Sequence, residues 1–427
     1  MMPFNLYDEE NTLIMIPGPI EFHPRIIRSM ARKVYGHRTK YFREILNGIH
    51  EKLRALFGIR NGTVLTLSGS GTLAMDSALR SISTKEDIIL NFTFGKFSER
   101  FYEIARTTPH KKVITKDVGA MLNWGQTFTT DRISKILDRC EDMNIEPTVI
   151  TLCHNETSTG VIIELESVSR VIRDRFPDSF IIVDGITSVG TVPIDMEKFA
   201  IDIFITGSQK CLETPPGIGI VALSDRAIRK IDRYIENGKV NFDAISGYYN
   251  HLALYLNHWR EKKDLPFTGA ISLYYALNTA LDEIFEEGVD KRYQRISTLS
   301  YILRESIRAM GLKLLIEERD NVDIDKYASP TVTAITYPKL NENNEIDLDN
   351  KFRTLVRKMG VLIAGGQSEL KGKIFRIATM GRVGPREIIT VLGAVEFALR
   401  KLGYTPEKSG VEHALELMEI KNIEEII

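Results

Sequence analysis

Cysteine is scarce in this chain: Cys140, Cys153 and Cys211 are the only three among 427 residues. Three cannot form a disulfide framework, and no two have the spacing of a zinc pair, so a reduced, cytoplasmic setting is expected. No apolar run reaches the eighteen or so residues a membrane-spanning helix needs. The opening residues, Met1 to Glu10, are acidic and lack the apolar stretch of a signal peptide. An excess of either charge is missing too. The 56 Lys and Arg against 57 Asp and Glu leave a net charge of −1, which gives no reason to expect nucleic acid or an anionic membrane as partner. There is no internal repeat, no low-complexity segment, no Walker lysine and no six-position dinucleotide glycine fingerprint. A dinucleotide-dependent oxidoreductase therefore lacks its signature.

What is present is a soluble-protein composition, 43% hydrophobic and 26% charged, with enough length for two or three domains. Ile181-Ile182-Val183 is a short, continuous apolar run, the pattern of a strand covered on both faces in a parallel sheet. It ends in Asp184. A second such strand, Ile201 to Ile205, leads through Thr206-Gly207-Ser208-Gln209 to Lys210. One carboxylate and one amine, twenty-six positions apart (210 minus 184), are expected at the carboxyl edge of one sheet, where such sheets place functional groups. The pair fits pyridoxal phosphate chemistry, with the lysine holding the cofactor as a Schiff base and the carboxylate pairing with its ring nitrogen. Taken alone, the pair is better read as a surface lysine and a strand-end aspartate, and it is the surrounding segments that shift the balance.

Other turns join them. Thr63 to Leu67 reads as a strand, followed by Ser68-Gly69-Ser70-Gly71-Thr72 and a helix from about Thr72. A glycine turn at a helix N-terminus suits a phosphate, although tight turns use glycine for steric reasons as well. Strands Ile88–Asn91 and Val149–Cys153 precede Phe92-Thr93-Phe94-Gly95 and His154-Asn155-Glu156-Thr157-Ser158-Thr159-Gly160. Cys153 beside His154 lacks an orienting third group and reads as a buried strand residue. The alternation of strand and helix from Thr63 to Val221 argues a mostly parallel sheet covered by helices.

The segments Asp184-Gly185-Ile186-Thr187-Ser188-Val189-Gly190, Gly207-Ser208-Gln209-Lys210 and Pro215-Pro216-Gly217, with the His154–Gly160 loop and Pro17-Gly18-Pro19, closely resemble the class V aminotransferases. The serine–pyruvate, alanine–glyoxylate and serine–glyoxylate branch is most similar, and the resemblance runs from about Met15 to Gly381. It implies an α/β chain of PLP-dependent transferase fold type I. That fold has a mostly parallel seven-stranded sheet with helices on both faces, and a smaller C-terminal α+β domain. The implied division is an arm (1–20), a large cofactor-binding domain (21–287) and a small domain (288–427).

The resemblance also implies roles. Lys210 and Asp184 become catalytic. Ser70, Gly71 and Thr72 hold the cofactor phosphate, where relatives often carry His in place of Thr72, and Gln209 joins them. Phe94 stacks on the cofactor ring, although from the residues alone a core Phe is the better reading. Thr157 meets the phenolic oxygen, and Thr268, seven residues before Tyr275, reaches the phosphate of the partner subunit unless it simply caps a helix. Leu265 stands where relatives have a tyrosine. The Gly18 backbone and Arg376, a lone arginine in the apolar strand Ile374–Ala378, bind substrate, the planar fork of Arg376 suiting an α-carboxylate.

No metal is implied. The implied activity is transfer of nitrogen from alanine or serine to glyoxylate or pyruvate in a homodimer. Aspartate or an aminophosphonate as donor would need a second cation, for which His37, Arg38, Arg260 and Arg382 are candidates. Cysteine desulfurase needs a loop cysteine in the C-terminal half, and none follows Cys211.

Overall fold

The computed structural model describes residues 11–339 and 345–427. Its main sheet has seven strands: β1 (Gly62–Ser68), β2 (Ile88–Asn91), β3 (Lys112–Ile114), β4 (Val149–Cys153), β5 (Phe180–Asp184), β6 (Ile203–Gly207) and β7 (Ile218–Ser224). They lie in the order β1-β7-β6-β5-β4-β2-β3. β7 runs antiparallel to both neighbours and the remaining pairings are parallel. Every residue of β4 and β6 is buried, as expected for apolar runs sandwiched between helix layers. The register sets Cys153 beside Asp184 and Asp184 beside Ile205. The carboxyl ends of the central strands therefore finish level, and the turns that follow them meet.

Two helices open at that edge. α1 (Gly71–Ile82) follows β1 with Ser70 as its N-cap, and α2 (Lys96–Ala105) follows β2 after Gly95. Further along, α3 (Ile271–Glu287) and α4 (Val289–Ala309) lead to a three-stranded antiparallel sheet of β8 (Val332–Thr336), β9 (Ala364–Gly365) and β10 (Ile374–Ala378), in the order β8-β10-β9. The C-terminal tail carries two helices, Gly410–Ile420 and Ile423–Ile426. They are broken at Asn422, whose left-handed backbone (φ 47°) interrupts the helix.

The N-terminal segment joins the two sheets. Leu13–Ile14 pairs in parallel with Val361–Leu362, and the Met15 carbonyl accepts from Ala378 N at 2.8 Å. Pro17-Gly18 is thereby carried from the C-terminal sheet across to the main-sheet edge.

Candidate active site

Lys210 stands on a turn held by its own side chains. Ser208 N donates to Ile218 O at 3.0 Å, Ser208 Oγ to Pro215 O at 2.9 Å, and Thr214 Oγ1 to Ser208 O at 3.0 Å. The lysine Nζ donates to the Pro17 carbonyl. Gly18, at φ +113°, lies so close that a Cβ there would come within 2.7 Å of that Nζ. Asp184, at the end of β5, is buried, and its Oδ1 accepts from Ile186 N at 2.8 Å. Among the described residues no cation comes within ion-pairing distance of it. Burial pushes the Asp184 carboxyl up to about 7 and pulls the Lys210 amine down to about 8, and each feels the other's charge.

The glycine turn and Gln209 converge. Ser70 is exposed, and its Oγ accepts from Leu73 N at 3.4 Å. A Cβ on Gly207 would lie 3.3 Å from Gly71 Cα and 2.7 Å from Gln209 Oε1, an atom that is buried without a partner among the described residues. Thr72 Oγ1 accepts from Arg100 Nη1 at 3.3 Å.

Arg376 is 4% exposed. Its Nε and Nη2 donate to Gly365 O at 3.0 and 2.8 Å, and its Nη1 to Thr157 O at 2.9 Å. Those carbonyls fix the fork without neutralising it. No carboxylate pairs with Arg376 among the described residues, and burial draws it down to about 10. Thr157 is itself buried, in the loop after β4. The neighbouring Glu156, fully buried, accepts from Ser98 N at 2.8 Å, Phe97 N at 3.0 Å and Ser158 Oγ at 2.6 Å, so this loop anchors the first turn of α2. Asn155 Nδ2 donates to Thr187 Oγ1 at 3.0 Å and to Thr331 Oγ1 at 2.7 Å, tying the loop to the segment before β8.

Two aromatics lie at the start of α2. The Phe94 ring is buried and packs edge-on against Phe128 with centroids 5.4 Å apart. Three residues on, in the first turn of α2, Phe97 is only partly buried and has the Arg100 guanidinium 5.0 Å from its ring centroid. The chain bends between Phe94 and Phe97 to start the helix.

Thr268 is exposed and is not the helix cap, a position taken by Ala270. It lies on the surface beside Tyr249 and Phe267, near Ser68. Three of the four candidate second cations are engaged by carboxylates. Arg260 pairs with Asp232, Arg382 with Glu283 at 3.4 Å, and Arg38 lies 3.7 Å from Asp264. His37 keeps a buried Nε2 without a partner among the described residues. Cys153 and Cys211 are buried, and burial raises both thiols, Cys211 to about 12, as inert packing residues require.

The site is thus a buried carboxylate and a buried guanidinium, neither ion-paired among the described residues, around an amine of lowered basicity at the mouth of a glycine-lined turn. A ligand with a cationic ring nitrogen and a phosphate matches the unpaired Asp184 and the cradle at Ser70, Gly71 and Gln209. Comparison with known proteins agrees. The sequence profile described as Aminotransferase class-V matches residues 22–323. An uncharacterized aminotransferase of Methanocaldococcus jannaschii is 38% identical over 96% of this chain and 98% of its own. A serine–glyoxylate aminotransferase of Arabidopsis thaliana is 29% identical over 92% of this chain and 91% of its own. The crystal structure of ureidoglycine–glyoxylate aminotransferase from Bacillus subtilis superposes with a TM-score of 0.82 at 27% identity, covering 96% of this chain and 98% of that one.

Proposed function

The chain belongs to the class V aminotransferases, with pyridoxal phosphate as cofactor, and from that premise we propose that it moves the amino group of alanine or serine to glyoxylate or pyruvate by a ping-pong route. The chemistry the cofactor supplies when bound is an electron sink for the negative charge left at the substrate Cα. Asp184 keeps the ring nitrogen protonated, and its buried, unpaired carboxylate gains the cation it lacks. Lys210 Nζ, neutral above about pH 8, takes the proton from Cα and gives it back. Arg376, held by the Gly365 and Thr157 carbonyls, grips the α-carboxylate with its fork. Gly18 leaves room for substrate beside the amine.

Ser70, Gly71, Thr72 and Gln209 hold the phosphate, and Thr157 meets the phenolic oxygen. Phe97 takes the stacking role expected of Phe94. Thr268, facing outward, serves the partner subunit of a cytoplasmic homodimer. Exposed Ile27, Val34 and Tyr35 support a second copy covering this stretch of the chain. We assign residues 1–20 to an arm, 21–287 to a large domain and 288–427 to a small one.

Glyoxylate as acceptor is supported by the relatives named for it. A small donor is supported by Arg38, Arg260 and Arg382, which already have acidic neighbours and are poor clamps for a second substrate anion. The observation that carries the reading is Lys210 Nζ under Gly18, in one site with Asp184 and Arg376, neither of which is ion-paired among the described residues. An absorption spectrum tests it. A yellow protein that bleaches with L-alanine or L-serine and recovers with glyoxylate or pyruvate, while Lys210→Ala does neither, is the expected result. A yellow protein indifferent to both amino acids would overturn the donor, and a colourless one after added pyridoxal phosphate would overturn the site.

A further inference from the structure

Arg100 is a cation at this site to which neither the sequence pattern nor the roles above give a task. It projects from α2, donates through Nη1 to Thr72 Oγ1 at 3.3 Å, and lies 5.0 Å from the Phe97 ring centroid. Among the described residues no carboxylate lies within ion-pairing distance of it. The acids on its own helix are turned elsewhere: Glu99 and Glu103 pair with Lys96 at 2.8 and 3.2 Å. An uncharged hydroxyl and a ring face therefore orient the guanidinium and leave its charge uncompensated. That charge reaches the chemistry, lowering the proton affinity of both Asp184 and Lys210.

Thr72 fixes where the guanidinium sits. It is the second residue of α1, and the first turn of that helix carries no acidic or basic side chain. A phosphate dianion there meets backbone amides, hydroxyls and a helix dipole worth about half a charge. Leu265 offers no hydroxyl to add to these. Arg100 brings a full positive charge one hydrogen bond from Thr72, in a fork whose geometry matches phosphate.

We propose that Arg100 is a ligand of the cofactor phosphate, with one nitrogen on Thr72 Oγ1 and others on phosphate oxygens. The inference rests on the pyridoxal phosphate reading of the site. It also assigns Phe97 a double task, since Arg100 takes one face of the ring and leaves the other for the cofactor. With Arg100 engaged in this way, the site keeps Arg376 as its substrate clamp, in line with a small donor.

The test titrates cofactor-free, full-length protein with pyridoxal phosphate and, separately, with pyridoxal, which lacks the phosphate. Binding is followed by absorbance for the wild type, Arg100→Gln and Arg100→Lys. Arg100→Gln is expected to weaken pyridoxal phosphate by about ten- to a hundredfold and to leave pyridoxal unchanged. Inorganic phosphate should compete with the cofactor in the wild type and less well in the variant. Arg100→Lys, which keeps the charge and loses the fork, should fall between them, and it carries the test if Arg100→Gln does not fold. Equal loss for both ligands would reduce Arg100 to a packing role and overturn the proposal. So would unchanged cofactor affinity, and a raised KM for an acidic donor would then assign Arg100 to substrate. If the wild type binds neither ligand, the cofactor reading beneath the proposal fails, a result distinct from any difference between variants.

Discussion

Asp184 shows how one residue can be a cost to the empty protein and an asset to the loaded one. Its carboxyl titrates near 3.8 unfolded and is raised to about 7 in the fold, chiefly by burial. The folded state thus holds a proton that the unfolded chain has already released. The resulting stabilisation is complete below about pH 4 and is lost as pH rises toward 7. It amounts to a few kcal/mol, on the order of 1.4 kcal/mol for each tenfold change in proton affinity between the two states. Cofactor-free Asp184→Asn should therefore melt higher than cofactor-free wild type at pH 8 and no higher at pH 4, while losing transamination. Parallel melting curves across pH would show that the burial cost is absent. Arg376 makes the complementary argument. Lysine in its place keeps the charge and loses the two-nitrogen grip on Gly365 O, so Arg376→Lys should raise KM for amino acid and oxo acid together by about ten- to a hundredfold. A change in KM for only one of them would mean that the two substrates do not share the clamp.

At the scale of elements, the buried strands were the legible part. Ile88–Asn91, Val149–Cys153 and Ile374–Ala378 fall where continuous apolar runs place them. The strand carrying Lys210 begins two residues later than its pattern suggests, at Ile203, because Ile201 is buried in the preceding turn and not in the ladder. Legibility failed where the chain changes direction. Between β2 and α2 the backbone turns through Phe94-Gly95-Lys96, so which aromatic the proposed site uses depends on the helix start as well as on strand alternation. Glu156 escaped a role for a related reason. Its task is to accept the amides at the start of α2, and nothing local in His154–Gly160 names that distant partner. The two phenylalanines should separate cleanly. Phe94→Ala should cost about 3–5 kcal/mol of stability, as truncation of a buried ring does. Phe97→Ala should leave melting nearly unchanged and weaken cofactor binding. If Phe94→Ala lowers cofactor affinity at constant stability, the exchange of roles is wrong.

Across the whole molecule, the site is held by segments far apart in sequence. α4 reaches back to the Lys210 turn: Arg292 donates to Gly190 O and Cys211 O, each at 2.9 Å, and pairs with Glu213. Arg295 Nη1 donates to Gly381 O at 3.1 Å and Val383 O at 2.6 Å, just past β10. The N-terminal segment adds the last wall. Leu13 to Met15 is hydrogen-bonded to the strand Val361–Leu362 and to β10, while Pro17-Gly18 lies on Lys210, so the C-terminal sheet positions the backbone that touches the amine. Gly18 is the point where this arrangement is most easily disturbed. Its φ of +113° disfavours any side chain, and a Cβ would press to 2.8 Å of Lys210 Cδ as well as on Nζ. Gly18→Ala should lower turnover with alanine or serine by about a hundredfold, since misplacing a catalytic group by about 1 Å has that order of effect. Melting should shift by only about 1–3 kcal/mol of strain, and the yellow colour of bound cofactor should remain. Deleting residues 1–20 should likewise remove turnover and keep the colour, because the cofactor contacts proposed above all lie beyond residue 20. A truncated protein that retains full activity would show that the chemistry does not need the arm, and the link from the C-terminal sheet to Lys210 would then be structural only.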